Sequence, residues 1–345
     1  RYSGKPAAFL RAFKAGYFAI LYNFIVMGWV INAMASVVSV MLNMDKWTAV
    51  WLCVIIALVY AILSGFWGVV VTDLVQFVIA MFGSIALAII ALNYVGGMEV
   101  LLSKLNELLG SDVVTDNTLK FIPPIPDTGV ATQTFWESPF SKFLIFISVM
   151  WWSHHGTDGG GYIIQRMSSA KNERHALLAT LWFNIAHYAL RVWPWIIVAV
   201  VSIVMFPIIP SEYSELGVKA GYPLVMNTLL GPGLKGILIV SFLAAFMSTI
   251  DTHLNWGVSY LINDIYKRFF KPNETERHYV LVGKIMTVIL MILAAFTALK
   301  MQSISKAWEF IFAMGAGLGL VLILRWFWWR VNAWSEITAL ATSIV

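Results

Sequence analysis

FLAAFMSTIDTHLN, residues 242–255, sets Ser248, Thr249, Asp251, Thr252, His253 and Asn255 inside a segment otherwise apolar enough to cross a bilayer. A charged or hydroxyl-bearing side chain at that depth is expensive, and it persists where it faces a cavity, an ion or another polar group. Ala245, Ser248, Thr249 and Thr252 fall at i, i+3, i+4 and i+7, which lines them along one face of a helix. That stripe is small and rich in oxygen. Hydroxyls and a freed backbone carbonyl suit a hard monovalent cation such as sodium, which wants neutral oxygens and little formal charge. Asp251 lies one step round the helix, with His253 and Asn255 further round. Ser and Thr in membrane helices also bond back to the i−4 carbonyl or tie neighbouring helices together. A cluster of this density that includes a carboxylate is read as an ion site.

The remainder of the chain agrees with a membrane setting. Of 345 residues 60% are hydrophobic and only 12% charged, with 16 Trp and 22 Phe. A soluble domain carries about a quarter charged residues, so this is an integral membrane protein. The one cysteine, Cys53, lies in an apolar run and excludes an intramolecular disulfide. The small basic excess has no nucleic-acid pattern and is better understood leaflet by leaflet. RYSGK at the start has neither an initiator Met nor a signal-peptide pattern, and ALATSIV at the end stops inside an apolar run below membrane length. Both ends are expected to be cuts in a longer protein.

Runs of about 20 apolar residues cross a hydrocarbon core of about 30 Å. They predict eight spans, near 15–42, 47–64, 66–95, 140–165, 175–206, 234–262, 278–299 and 307–329, with a ninth beginning near Ala333. Basic residues cluster before the first span (Arg1, Lys5, Arg11, Lys14), after the fourth (Arg166, Lys171, Arg174), after the sixth (Lys267, Arg268, Lys271, Arg277) and at the end of the eighth (Arg325, Arg330). Eight consecutive spans put all of these on one side. The opposite side holds the 96–139 loop, with Glu99, Glu107, Asp112, Asp116, Asp127 and Glu137 against Lys104 and Lys120. The positive-inside rule sets the basic side in the cytoplasm and this acidic loop outside. Within the loop, MEVLLSKLNELLG places Val100, Leu101, Leu105 and Leu108 on one face of an amphipathic surface helix, a gate element or an interfacial lid. FIPPIPDTG after it reads as a connector.

The fourth span reads SVMWWSHHGTDGGGYIIQRM. Gly156, Gly159, Gly160 and Gly161 each weaken a helix by about 1 kcal/mol relative to Ala, so the helix is expected to break here. Breaks inside a bilayer survive where the freed backbone lines a cavity or is buried by protein, and Asp158 needs such a cavity. Tyr162 follows the break as a gate or a packing aromatic. Arg191, in ALRVWPW, sits in mid-span, where its partner is a substrate oxygen, Asp158 or Asp251, and Pro194 frees a carbonyl nearby.

Four strings, YAILSGFWGVVVTDLVQF, DGGGYIIQR, GLKGILIVSFLAAFMSTIDTHLN followed by NDIYKRF, and GAGLGLVLILRWFWWRVNAWSEI, resemble in order the signatures of the sodium/solute symporter family, which includes the sodium/glucose transporters. The resemblance covers nearly the whole chain. It implies an all-α membrane protein of the LeuT-type five-plus-five inverted-repeat fold, with residues 1–345 as one transporter domain holding core helices three to ten and the start of the next. It implies sodium bound by the Ala245 carbonyl, Ser248 and Thr249, with further ligands from a first core helix. A second cation site resembles Ser248, Asp73, Asp251 and Thr252, although Asp251 replaces a hydroxyl residue there and could instead bind a proton or pair with Arg191. The implied function is sodium-coupled symport of a small polar organic solute by alternating access, a bundle rocking against a scaffold.

The solute site implied is Asp158, Gly160, Gly161, Tyr162 and Arg191. YIIQR is similar to the sugar-transporter branch, and Tyr162 matches that branch's inner gate. Gly160 stands where the branch has a sugar-binding Asn, Ile311 where it has Gln, and Arg191 roughly where it has Lys. Two amides lost and a guanidinium gained point to a carboxylate or another anionic group on the solute, since Arg offers it two parallel hydrogen bonds. The expected location is a bacterial inner membrane. Two rival functions compete. His154, His155, Asp158, His187 and His253 could form the metal site of an intramembrane enzyme or a transition-metal transporter, against which adjacent His residues point about 100° apart on a helix. A transporter-like sensor domain is the other.

Overall fold

Inside a bilayer a chain satisfies its backbone polar groups within its own helices. The computed structural model describes residues 2–63, 66–109, 122–125, 138–153, 156–157 and 160–344, and its regular structure is helical throughout. In chain order the helices are α1 (Gly4–Leu42), α2 (Lys46–Leu63), α3 (Phe66–Val95), α4 (Met98–Leu109), α5 (139–153), α6 (Gly160–Ser168), α7 (Glu173–Met205), α8 (Gly221–Leu229), α9 (Pro232–Phe270), α10 (Glu276–Lys300), α11 (Ile304–Gly315), α12 (Leu318–Phe327) and α13 (Ala333–Ile344). Among the described residues, α1, α3, α7, α9 and α10 are each long and apolar enough to cross a membrane, and α11 with α12 make a further span bent by 41°. The expected second span is the shorter apolar helix α2, and the expected fourth is divided between α5 and α6.

One compact unit comprises Arg1–Ile89 and Ile208–Ile311. Its core is built by four helices. Met27, Ile31, Met34, Ala35 and Val38 of α1 recur at helical spacing and meet Val50, Cys53, Val54 and Ala57 of α2, Phe246, Ile250 and Leu254 of α9, and Leu290, Met291, Ala294, Ala295 and Ala298 of α10. Small residues let the helices approach closely. At Gly28 an added Cβ would lie 2.7 Å from Thr297 Cγ2.

Side chains close the outer ends of these helices. Asn43, at φ +51°, ends α1 in the left-handed conformation, and Asp45 opens α2 by accepting from Thr48 N at 2.9 Å and Thr48 Oγ1 at 2.6 Å. The Thr48 bonds hold the Asp45 carboxyl below its usual range. The C-terminus of α10 is capped from afar: buried Asn32 donates to Ala298 O (2.8 Å) and Met301 O (2.9 Å), while Lys219 donates to Asn32 Oδ1 (3.1 Å) and Gln302 O (3.2 Å). Cations and amide donors at that end satisfy carbonyls the helix leaves open. Burial, and then nearby Lys46, push the Lys219 ammonium below its ordinary value.

The second unit comprises Ile90–Pro207 and Phe312–Val345. Leu101 and Leu105 of α4 are buried and the helix packs on α7, whereas Val100 and Leu108, expected on the same face, are exposed. The packed stripe is thus narrower than the sequence pattern. The expected single span 307–329 is interrupted between α11 and α12 within GAGLG, and the Gly317 N–H there donates to Ser343 Oγ of α13 at 2.9 Å. Gly319 lies so close to α5 that a Cβ would collide with the Trp152 carbonyl and the Ser153 backbone. Arg325 donates to buried Glu336 at 3.3 Å, tying α12 to α13.

Candidate functional site

Helix α9 divides its circumference between two jobs. Phe246, Ile250, Leu254 and Gly257 face the four-helix core, and Ala245, Ser248 and Thr249 lie on a less buried side. There the Thr249 hydroxyl donates to the Ala245 carbonyl at 2.9 Å. The back-bond that Thr commonly makes in helices is therefore present. It also sets the Thr249 oxygen beside the Ala245 oxygen, with the hydroxyl lone pairs still available. Ser248 is adjacent and part-buried. Three neutral oxygens within one turn form part of a shell for a hard monovalent cation.

Asp251 and Thr252 are 1% and 6% exposed, deeper than the stripe beside them. Asn255 Nδ2 donates to Asp251 Oδ2 at 3.0 Å, so the carboxylate leans on a neutral amide one turn on. His253 is locked from α1: buried Asn23 donates Nδ2 to the His253 carbonyl at 2.5 Å, and its Oδ1 stands 2.7 Å from His253 Nδ1. An amide oxygen only accepts, so Nδ1 carries the imidazole proton. Gly257 makes room, because a Cβ there would collide with Asn23 Nδ2. The sequence reading did not single out Asn23, although an amide within an apolar span is itself a signal.

Asp73 lies in α3, in the same unit as α9. Its Oδ1 is screened from solvent and accepts no hydrogen bond among the described residues, and the same is true of Gln76 Oε1 on the next turn. Gln76 was not among the residues expected to matter.

The residues expected to hold a solute lie in the second unit. Asp158 is outside the described residues. Gly156 and Thr157 form a turn between α5 and α6, so the expected helix break is present. Gly160 opens α6 at φ +61°, a conformation that suits glycine, with Gly161 and Tyr162 next in that helix. Arg191 follows a π-helical segment, Ile185–Leu190, and its N–H bonds the Ala186 carbonyl five residues back. Pro194, without an N–H, disturbs the regular ladder at this point. The bulge brings Arg191 Nη2 to 3.1 Å from His187 Nε2, and the guanidinium carbon stands 5.0 Å from the centroid of the Trp195 ring. Both of these contacts are made within its own helix.

Among the described residues no three His, Cys, Asp or Glu side chains converge as a metal site. His154 and His155 lie outside them, His187 bonds Arg191, and His253 bonds Asn23 in the other unit.

Comparison with known proteins gives this arrangement its context. A solved structure of a Na+-coupled sialic acid symporter in a substrate-bound outward-open state, described with a novel Na+ site, superposes at a TM-score of 0.65. It is 16% identical, and the match covers 98% of this chain and 73% of that one. This likeness establishes the LeuT-type membrane fold. The sodium/mannose cotransporter SLC5A10 of Bos taurus is 25% identical over 86% of this chain and 52% of its own length. The high-affinity proline transporter PutP of Bacillus subtilis is 24% identical over 98% of this chain and 66% of its own. The chain thus spans about half the length of the first curated relatives it matches. The profile of the sodium:solute symporter family matches residues 1–345, and this multi-pass membrane chain belongs to that family.

Proposed function

We propose that this protein couples the entry of sodium to the symport of a small organic solute bearing a carboxylate or another anionic group, by alternating access. The observation that carries the proposal is the division of α9, which commits one face to the core and keeps the Ala245, Ser248 and Thr249 oxygens together on another. Sodium occupies that face. The solute occupies the break around Gly156–Tyr162, with Asp158, Gly160 and Gly161 lining it and Arg191 meeting its anionic group. Arg191 suits that task because a planar guanidinium offers a carboxylate two parallel hydrogen bonds from a fixed charge. Each ligand favours the same conformational state, so by linkage sodium tightens solute binding and solute tightens sodium binding. The sodium/mannose and proline carriers among the relatives support a polar organic solute.

A second cation site uses Asp73, Ser248, Thr252 and Asp251. Gly83 of α3 stands against Leu238 of α9, where a Cβ would lie 2.7 Å from Leu238 Cδ2. The Lys and Arg distribution runs the two helices in opposite directions. Ten residues back from Gly83 and ten on from Leu238 bring Asp73 level with Ser248, which supports the pairing. We assign a transport role without enzymatic chemistry, and a bacterial inner membrane as the location.

The test is thermal stabilisation of the full-length protein in sodium or in choline, across sugars, sugar acids, amino acids and small carboxylates. A ligand that binds only the folded state raises the melting temperature. A sodium-dependent rise with an acidic solute is the expected result. Stabilisation that is the same in choline would remove sodium coupling, and Arg191→Lys with unchanged response to every acidic solute would remove the assigned role of Arg191.

A further inference from the structure

Among the described residues, two acceptor oxygens on α3 are buried and unbonded, Asp73 Oδ1 and Gln76 Oε1. Three residues apart, the side chains are neighbours on one face, with about 5–6 Å between Cβ atoms. Each unmet acceptor costs about 1–3 kcal/mol. Two on one face call for a partner that serves both. A hydroxyl donor offers one proton along one direction, whereas a metal cation gathers oxygens from several. One carboxylate among neutral oxygens matches a single positive charge.

The direction of that face follows from Gly83. Gln76 is seven residues, two helical turns, before Gly83, so the two positions share a stripe. Gly83 is where α3 touches α9, at Leu238. Seven residues on from Leu238 is Ala245, on the oxygen stripe of α9. Gln76 therefore belongs to the side of α3 turned toward the stripe, and it is better centred on that side than Asp73.

We infer that Gln76 is a cation ligand, its amide oxygen joining Asp73 as the α3 contribution to the second cation site. This rests on the sodium-symport proposal with its second cation site, and it adds a residue of α3 to that site. The amide has a definite advantage over a second carboxylate: it completes the shell without adding a charge that would attract protons or a divalent ion.

Equilibrium binding of radiosodium to the purified full-length protein tests this without knowledge of the solute. The wild type is expected to bind two equivalents. Gln76→Leu should lose one, at least about tenfold in affinity, while the other binds as before and reports an intact fold. Thr249→Ala should lose the other. Gln76→Glu keeps the length of the side chain and adds a charge, so the second equivalent should remain, bind tighter and become sensitive to acid. If Gln76→Leu and Gln76→Glu both bind two equivalents with wild-type affinity and pH dependence, Gln76 is no ligand and the symport proposal stands. If Gln76→Leu does not fold, wild-type behaviour of Gln76→Glu overturns the inference alone. A wild type with one equivalent, abolished by Thr249→Ala, removes the second site and Gln76 with it. A wild type with none removes the sodium reading itself.

Discussion

Asn23 and His253 show how much a single buried amide can decide. Asn23 uses its donor on the His253 carbonyl and its acceptor on the ring. Asn23→Leu fills a similar volume and meets neither. The imidazole N–H and the extra carbonyl demand are then left in an apolar setting, at about 1–3 kcal/mol per buried group. The expected result is a clear fall in melting temperature in choline, where no sodium masks it. Asp73→Asn is a different kind of change. It preserves shape and removes the charge, so stability in choline should hold or rise, because the buried, unmet Oδ1 then belongs to a neutral group. The sodium concentration giving half-maximal stabilisation should increase about tenfold. A melting temperature that falls in choline, with sodium response intact, would make Asp73 a structural residue.

At the scale of elements the glycines matter because helices meet through them. Gly28→Ala drives a Cβ to 2.7 Å from Thr297 Cγ2 and 2.9 Å from Thr297 Cβ. Overpacking of this kind costs about 1–3 kcal/mol. Thr297→Ala removes the nearer atom, so the double variant should recover part of the loss, and a thermal-melt cycle measures that coupling. Strict additivity of the two changes would show that α1 and α10 are not in contact there. Gly319 meets backbone, which cannot rotate away as a side chain can. Gly319→Ala is therefore expected to reduce the yield of folded protein, with no rescue from Trp152→Ala, because the colliding oxygen belongs to the main chain. The turn at Gly156–Thr157 and the break between α11 and α12 belong to this scale as well. The first was legible because four glycines in six residues cannot sustain a helix. The second is expected from the sequence to be continuous, because GAGLG sits in an apolar run of sufficient length. What breaks it is local glycine freedom, together with a hydroxyl on α13 that receives the freed N–H.

For the whole molecule, ion binding and folding are one equilibrium. A ligand present at about 100 times its Kd adds about 2.7 kcal/mol to the stability of the folded state. Replacing choline by saturating sodium should raise the melting temperature accordingly, and about twice as much if two independent sites fill. Thr249→Ala should remove one such increment and leave the melting temperature in choline nearly unchanged, since among the described residues its hydroxyl bonds only within its own helix. Loss of the fold in choline would instead make that hydroxyl part of the scaffold.

The amino-acid sequence by itself determined that this is a membrane protein of long helices, that α9 bears an oxygen stripe and that the fourth span breaks. Those properties are periodic or compositional, and each is contained within a window of one helix. Only the tertiary structure decided which polar groups satisfy one another. Asn23 and His253 are 230 residues apart, and Lys219 and Asn32 are 187 apart. No local pattern links such pairs. Arg191 is the converse case: His187 and Trp195 lie about one turn from it on either side, yet it took the π-helical segment to bring His187 and the guanidinium together. Asp73 was legible as a carboxylate in a span, but Gln76 was not, because what marks it is an oxygen that no described residue meets. A sequence names the donors and acceptors a chain owns; packing determines which remain unmet, and in a low-dielectric interior an unmet acceptor is where a cation gains most.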